Sequence, residues 1–273
     1  MLSFSLKHYL KSTLGRKYIM ALTGFVLVGF VMIHMLGNLL IHISPDAINA
    51  YAYKLHSIPD PLMLMIRLFL LASVLLHIWM AILLTIDNKK AKPAVTKSSV
   101  KSSYASRTMR MSGLILVSFI IFHILHYTIR VIPTMEYNNK NFFSDNISSK
   151  DYVTLYNKGI PVITNNKEIQ TFNVYDMLIH GFKNIWVSFF YLLSVALLCL
   201  HLAHGISSLF QTLGFRNNKW KIILNRLAMV YGIIVFIGFA SIPIRVLSGG
   251  LKYSYELNDA SQQTTLQAIE KNL

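Results

Sequence analysis

Cysteine and acidic side chains are scarce in this sequence, and the shortage of cysteine excludes several kinds of site. The only cysteine, Cys199, lies in an apolar run, so the chain cannot build an internal disulfide, a cysteine-ligated zinc site, an iron–sulfur cluster or a CxxCH attachment motif. Charged residues make up only 14% of the 273 residues and hydrophobic residues 54%, with a mean hydropathy of +0.49. Because these values lie far from those of a soluble domain, a lipid bilayer is the expected solvent.

Long apolar stretches dominate what is present. Five of them, at about 18–43, 64–86, 109–132, 184–211 and 224–247, are long enough to cross about 30 Å of hydrocarbon at roughly 20 residues per span. The first contains His, Asn and Gly and is followed by no small-residue cleavage site, so it is expected to remain in the protein. Helices satisfy every backbone group internally in lipid. The predicted fold class is an all-α membrane protein, a five-transmembrane-helix bundle.

Charge is distributed unevenly between the two ends of these spans. The N-terminal segment and the second and fourth connections are basic, with Asp87 as their only acid, whereas the other acids lie in the first and third connections and the C-terminal tail. The positive-inside rule therefore predicts a cytoplasmic N-terminus and an outside C-terminus. The net charge of +15 mostly reflects this topology, with a smaller share left for docking of a soluble partner or anionic lipid. Nucleic-acid binding is not expected, because the basic residues flank membrane spans.

Residues 1–250 are predicted to form a single membrane domain, followed by a polar tail at 251–273. The long outer loop at 133–183 exceeds the usual length of a connection. Its end, from Phe172 to Phe182, is predicted to form a short amphipathic helix at the membrane interface.

Six of the ten histidines fall inside four of the spans: His34, His77, His123, His126, His201 and His204. An ionisable side chain inside a membrane is costly and is a functional hypothesis by default. A neutral imidazole bonded to a neighbouring helix is the plain alternative for any one of them. Four helices that each donate one imidazole to the interior are what two bis-histidine b haems require.

The depths of the histidines suggest how they pair. At about 1.5 Å per residue, His34 and His123 lie roughly 21–24 Å from the cytoplasmic side, and His77 and His204 roughly 11–14 Å from it. The first two therefore form an outer pair and the second two an inner pair. His126 and His201 lie within a turn of His123 and His204 and compete with them as ligands.

A repeated pattern links the first and third spans. Thr23-Gly24 precedes His34 by the same number of residues as Ser112-Gly113 precedes His123. Helical periodicity puts both hydroxyls on the face of the histidine, at about the depth of the inner haem. Thr23 and Ser112 are therefore candidate haem contacts, with ordinary small-residue packing as the alternative.

Several segments resemble a known family. The stretch from Gly15 to Gly24 leading to His34, the run Asn49-Ala-Tyr-Ala52 with Leu55-His56, and His201-Leu-Ala-His-Gly205 followed by Ser208-Leu-Phe-Gln-Thr-Leu-Gly214 resemble the cytochrome b subunit of succinate dehydrogenase/fumarate reductase. The resemblance is to its single-chain, five-helix, di-haem b558 type that works with menaquinone, and it covers residues 15–250. The family's outer ligands fall on His34 and His123 and its inner ligands on His77 and His204.

The resemblance implies a function and a location. The chain would be the anchor of a multisubunit enzyme in the bacterial cytoplasmic membrane, carrying electrons between quinone and cytoplasmic iron–sulfur and flavoprotein subunits, with a dimer of the whole complex left open. Some members have a glutamate two positions before the inner ligand of the fourth helix, implicated in proton movement. That position is Leu202 here, which puts such a proton route in doubt.

Further candidate residues lie near the outer ends of the spans. Arg130 and Arg245 could pair with propionates of the outer haem or extend to headgroups. His42, Tyr51 and His56 are candidates for a quinone site, or else anchor the first outer loop at the interface.

Two other functions compete with this reading. One is the di-haem anchor of a formate dehydrogenase, hydrogenase or nitrate reductase, which the identity of the partner subunits would distinguish. The other is a haem-free transporter, against which the lack of acidic residues within the spans and the few helix-breaking prolines argue.

Overall fold

A computed structural model describes residues 12–91, 104–129, 174–215, 217–254 and 256–257. Within these ranges all regular structure is helical. The elements are α1 (Thr13–Leu39) with a 3₁₀ turn (Leu40–His42), α2 (Pro45–His56), α3 (Asp60–Lys90), α4 (Tyr104–His123) with a π-helical turn (Ile124–Thr128), α5 (Val174–Lys183), α6 (Ile185–Thr212) and α7 (Asn218–Leu247).

Five of these helices are long and apolar enough to cross a membrane, which confirms the predicted fold class. The apolar spans are Thr13–His42, Asp60–Lys90, Thr108–Thr128, Ile185–Thr212 and Trp220–Leu247. Their polarity is arranged as lipid requires: on α3, Phe69 and Trp79 are exposed whereas Ser73 is buried. The buried hydroxyl of Ser73 donates to the Phe69 carbonyl, so its proton is hydrogen-bonded within the helix and not exposed to lipid.

The chain forms two compact units. Unit 1 comprises residues 1–34, 59–117 and 195–237, and unit 2 comprises residues 35–58, 118–194 and 238–273. Each unit contains parts of several helices, because α1, α4, α6 and α7 each contribute residues to both.

In unit 1, polar contacts join helices that are far apart in sequence. Arg16 of α1 forms an ion pair with Asp87 of α3, with an N–O distance of 2.6 Å. On α7, the Tyr231 hydroxyl donates to the Val28 carbonyl of α1 at 2.6 Å. The only acid predicted on the basic side is therefore paired with a basic residue of the first span.

A glycine brings α6 and α7 close together in unit 1. A Cβ atom on Gly232 of α7 would lie 2.8 Å from the Cys199 carbonyl oxygen and 3.2 Å from its Sγ. Only a residue without a side chain fits this approach, as is common where membrane helices pack tightly. Cys199 is thus accounted for by helix packing.

Unit 2 is built around α5. Seven of the ten residues of this helix are buried, and Tyr175, Ile179 and Phe182 join an apolar core with residues of α2, α6 and α7. The backbone N–H of Tyr175 donates to the Asn49 side chain of α2 at 3.0 Å. Burial, with the neighbouring Asp176 carboxylate, raises the pKa of the Tyr175 hydroxyl above its ordinary value.

The start of the C-terminal tail packs on α5 as well. The backbone N–H and the hydroxyl of Ser254 donate to the two carboxylate oxygens of Asp176 at 2.8 and 2.6 Å. The Tyr253 hydroxyl lies 3.1 Å from His180 Nδ1. The Lys183 ammonium group lies over the Tyr253 ring. These bonds satisfy a buried carboxylate that would otherwise be costly.

The predicted helix at 172–182 is present as α5, and its position at the membrane interface stays a prediction. Its polar residues are satisfied within unit 2, Asp176 by the tail and His180 by Tyr253. The rest of the predicted outer loop, at 133–173, lies outside the described residues.

Replacing Gly232 with Ala is expected to destabilise the protein by about 1–3 kcal/mol, because the added methyl group meets backbone atoms of α6. Gly29→Ala is a matched control, since a Cβ there meets no atom within 4 Å. Thermal unfolding in detergent measures the difference. Equal transition midpoints for the two variants would contradict the close packing of α6 on α7.

Candidate functional site

The predicted site residues of unit 1 lie on four helices. Thr23 and His34 are on α1, His77 is on α3, Ser112 is on α4, and His201 and His204 are on α6. The structure brings four of these side chains together, and they form two similar hydroxyl–imidazole pairs.

The first pair joins α1 to α3. Thr23 Oγ1 lies 3.2 Å from His77 Nδ1. The same oxygen lies only 2.8 Å from the Ile19 carbonyl, so the single hydroxyl proton goes to that carbonyl and Oγ1 accepts from His77. His77 is therefore held as the tautomer with its proton on Nδ1, which leaves the Nε2 lone pair for another partner.

The second pair repeats this arrangement between α4 and α6. Ser112 Oγ lies 3.4 Å from His201 Nδ1 and 3.1 Å from the Met109 carbonyl, which is the closer acceptor for the hydroxyl proton. Ser112 is almost completely buried. The same reasoning assigns the Nδ1 proton to His201 and leaves its Nε2 as an acceptor.

Glycines adjoin both imidazoles. A Cβ on Gly24 would lie 3.4 Å from His77 Cε1, and a Cβ on Gly113 would lie 3.9 Å from His201 Cε1. Each dipeptide, Thr-Gly or Ser-Gly, therefore affects its histidine in two ways. The hydroxyl contacts Nδ1, and the glycine leaves space beside the imidazole ring. A larger residue at position 24 would press on the His77 ring.

The two imidazoles also lie close to one another. The ring centroids of His77 and His201 are 6.4 Å apart and their planes are inclined by 59°, whereas the sequence pattern had paired His77 with His204. Two metal–nitrogen bonds of about 2 Å each, with half of each ring added, span about 6 Å, so the separation suits two axial ligands on one iron. Metal-binding histidines usually donate their other ring N–H to a polar group that fixes the orientation of the ring. The residues present therefore fit a bis-histidine haem.

The other predicted ligands are placed as follows. His34 stacks on Phe30 of the same helix, with centroids 5.3 Å apart and planes 15° from parallel. In unit 2, His123 ends α4 and His126 lies in the π-helical turn that follows, a structure that is frequent at functional sites. His204 lies on α6, three residues after His201.

Tyr191 of α6 links His123 and His126. Its hydroxyl lies 3.2 Å from His123 Nδ1 and 3.3 Å from His126 Nδ1. A phenol has one proton, so it can donate to only one of the two rings and must accept from the other. His126 is buried, with an Nε2 atom that has no hydrogen-bond partner among the described residues, whereas His123 is half-buried.

A polar cluster at the ends of α1 and α7 includes two further predicted residues. His42 Nε2 lies 2.7 Å from Ser241 Oγ, and its Nδ1 lies 3.0 Å from Arg245. Arg245 also donates to the Gly250 carbonyl. Because the guanidinium can only donate, His42 accepts at Nδ1 and donates from Nε2. Both ring nitrogens are thus engaged within the protein.

The remaining predicted residues are placed as follows. Tyr51 packs its ring against Gly37, where a Cβ would lie 2.5 Å from a ring carbon. His56 is exposed at the end of α2. Arg130 lies outside the described residues. The structure does not test the roles of these residues at a quinone site or beside haem propionates, which stay predictions.

Sequence reasoning missed Tyr191 and Ser241, which bond the predicted histidines. Both are polar residues in otherwise apolar spans, and that is the signal by which they could have been found. No protein-family model, curated protein or solved structure matches the chain. The function is therefore inferred from the residues and their geometry.

Tyr191→Phe is expected to destabilise unit 2 by about 1–3 kcal/mol, because it removes a hydroxyl that serves two histidines inside the protein. The loss should be measurable as a lower thermal midpoint. Phe190→Leu alters a neighbouring aromatic side chain that lacks a hydroxyl, and serves as a comparison for packing alone. A Tyr191→Phe variant as stable as the parent would remove the hydroxyl from this network.

Proposed function

We propose that this chain is the membrane-anchor cytochrome b subunit of a succinate:quinone oxidoreductase. The observation that carries the proposal is the approach of His77 to His201, two imidazoles 6.4 Å apart, each with its Nδ1 held by a hydroxyl from a second helix. The family resemblance of residues 15–250 supports the choice of enzyme. As such a subunit, the chain works in a bacterial cytoplasmic membrane with its N-terminus in the cytoplasm.

His77 and His201 would hold the inner haem. The ring contact and the parallel Ser112 bond favour His201, whereas depth along α6 favours His204. The assignment of the outer haem to His34 and His123 rests on the sequence pattern and the resemblance and stays a prediction. When bound, two haem b groups supply one-electron carriers between the quinone and the soluble subunits.

Hydrogen bonds from neighbouring residues orient these histidine rings. Thr23 and Ser112 hold the inner rings by their Nδ1 atoms, and Tyr191 holds His123. Neither choice of ligand on α6 is preceded by a carboxylate, because Leu202 lies two residues before His204 and Cys199 two residues before His201. Any protons that accompany electron transfer therefore need another route.

The proposal assigns iron–sulfur and flavin chemistry to separate subunits on the basic cytoplasmic side, because the single cysteine of this sequence cannot ligate a cluster. The quinone, menaquinone by resemblance, would bind near the outer end of the first two spans, where Tyr51 and His56 lie. Arg245 is proposed to remain near the outer haem as a positive group.

Ligand variants test the haem assignment. His77→Ala and His201→Ala are each expected to remove the same one of two haem signals, because a six-coordinate iron needs both axial imidazoles, whereas His204→Ala should retain both. Haem per chain and the reduced-minus-oxidised spectrum give the result. Loss of that haem in His204→Ala with its retention in His201→Ala would restore the assignment made from depth.

The quinone site is tested with His56→Ala, for which Lys54→Ala on the same helix is the control. Quinone-coupled turnover of the whole complex should fall at least several-fold in His56→Ala and not in Lys54→Ala. Turnover with an artificial acceptor that takes electrons from the soluble subunits should be unaffected in both. Equal quinone-coupled rates in the two variants would exclude His56 from the site.

A further inference from the structure

The two hydroxyl–imidazole pairs form a repeat that the sequence pattern only partly revealed. Thr23-Gly24 was expected to lie near the inner haem, either in contact with the haem or in plain helix packing. The structure instead puts the Thr23 hydroxyl on His77 Nδ1 and gives Ser112 the corresponding position on His201. Each hydroxyl is an acceptor, since its own proton serves a carbonyl of the preceding turn.

We propose that Thr23 and Ser112 are positioning residues that set the reduction potential of the inner haem. This inference rests on the proposed function, because it requires that His77 and His201 bind iron. An acceptor at Nδ1–H makes the imidazole more basic at Nε2. A more basic ligand favours the oxidised iron over the reduced iron, so each hydroxyl lowers the potential.

The two hydroxyls contribute unequally. The Thr23–His77 distance is 3.2 Å, whereas the Ser112–His201 distance is 3.4 Å, near the limit of a hydrogen bond. The bond from Thr23 is therefore the stronger one. Its removal should raise the potential more than removal of the bond from Ser112.

The alternative is that both residues matter only as small side chains between helices. Thr23→Val distinguishes the two, since valine keeps the branched shape and loses the acceptor. Ser112→Ala does the same at the second site. Thr23→Ser restores the acceptor with a smaller side chain and should recover the parental potential.

Thr85→Val is the matched control for the loss of a threonine hydroxyl. Thr85 on α3 also donates to the carbonyl one turn before it, at 2.7 Å from Ala81, and it lies two turns beyond His77 on the same helix. This variant removes the same bond within a helix without touching an imidazole nitrogen. The potential of the inner haem should not change in it.

The experiment is a redox titration of the purified whole complex with both haems bound, in which the inner haem is the signal lost in His77→Ala. Thr23→Val should shift its potential upward by up to a tenfold change in the reduction equilibrium, which is 59 mV for one electron. Ser112→Ala should give a smaller upward shift. The two shifts should add in the double variant, because the hydroxyls act on different ligands.

The outcomes separate this inference from the proposed function. Unchanged potentials in Thr23→Val and Ser112→Ala, with both haems bound, would overturn the inference and leave the haem assignment standing. A complex that binds no haem at all would instead overturn the proposed function. If Thr23→Val loses the inner haem, the reduction potentials of Ser112→Ala and Thr23→Ser test the proposal instead. Equal potentials in Ser112→Ala and the parent would then count against it.

Discussion

The hydrogen bond from an imidazole Nδ1 to a hydroxyl on a neighbouring helix is the interaction on which the site depends. Inside a bilayer a polar side chain finds its partner in the protein, because the surrounding lipid offers none. Thr23 and Ser112 supply that partner for His77 and His201, and each is itself anchored to its own helix by the carbonyl of the preceding turn. One bond thereby fixes the helix contact, the ring orientation and the tautomer.

The helix without a histidine in its span supports the others by packing. Gly232 of α7 allows the Cys199 backbone of α6 to approach, two residues before His201. Tyr231, the neighbouring residue, donates to the Val28 carbonyl of α1. α7 therefore packs on helices that carry the histidines, although its own span has none.

The five spans could be predicted from the sequence because a bilayer requires a similar length and an apolar composition of every span. Each of the five predicted spans overlaps an observed apolar helix. The sequence also singled out Thr23 and Ser112, which the structure puts beside His77 and His201, whereas their contact with a haem stays a prediction. The choice between His201 and His204 was harder, because depth along a helix does not define which of two residues a turn apart faces the neighbouring helix.

Unit 2 shows where sequence patterns carry too little information. The burial of α5 depends on Asp176 meeting Ser254 and on Tyr175 meeting Asn49, contacts between segments far apart in the chain. Long-range pairs of this kind have no periodicity to reveal them.

The central claim is that the chain holds two haems between its own helices, and counting them tests it most directly. The chain is to be purified from a host that supplies haem, and its haem content measured per chain together with the reduced-minus-oxidised spectrum. The account predicts two b haems per chain, both low-spin and six-coordinate. A correctly folded chain that contains no haem would contradict it.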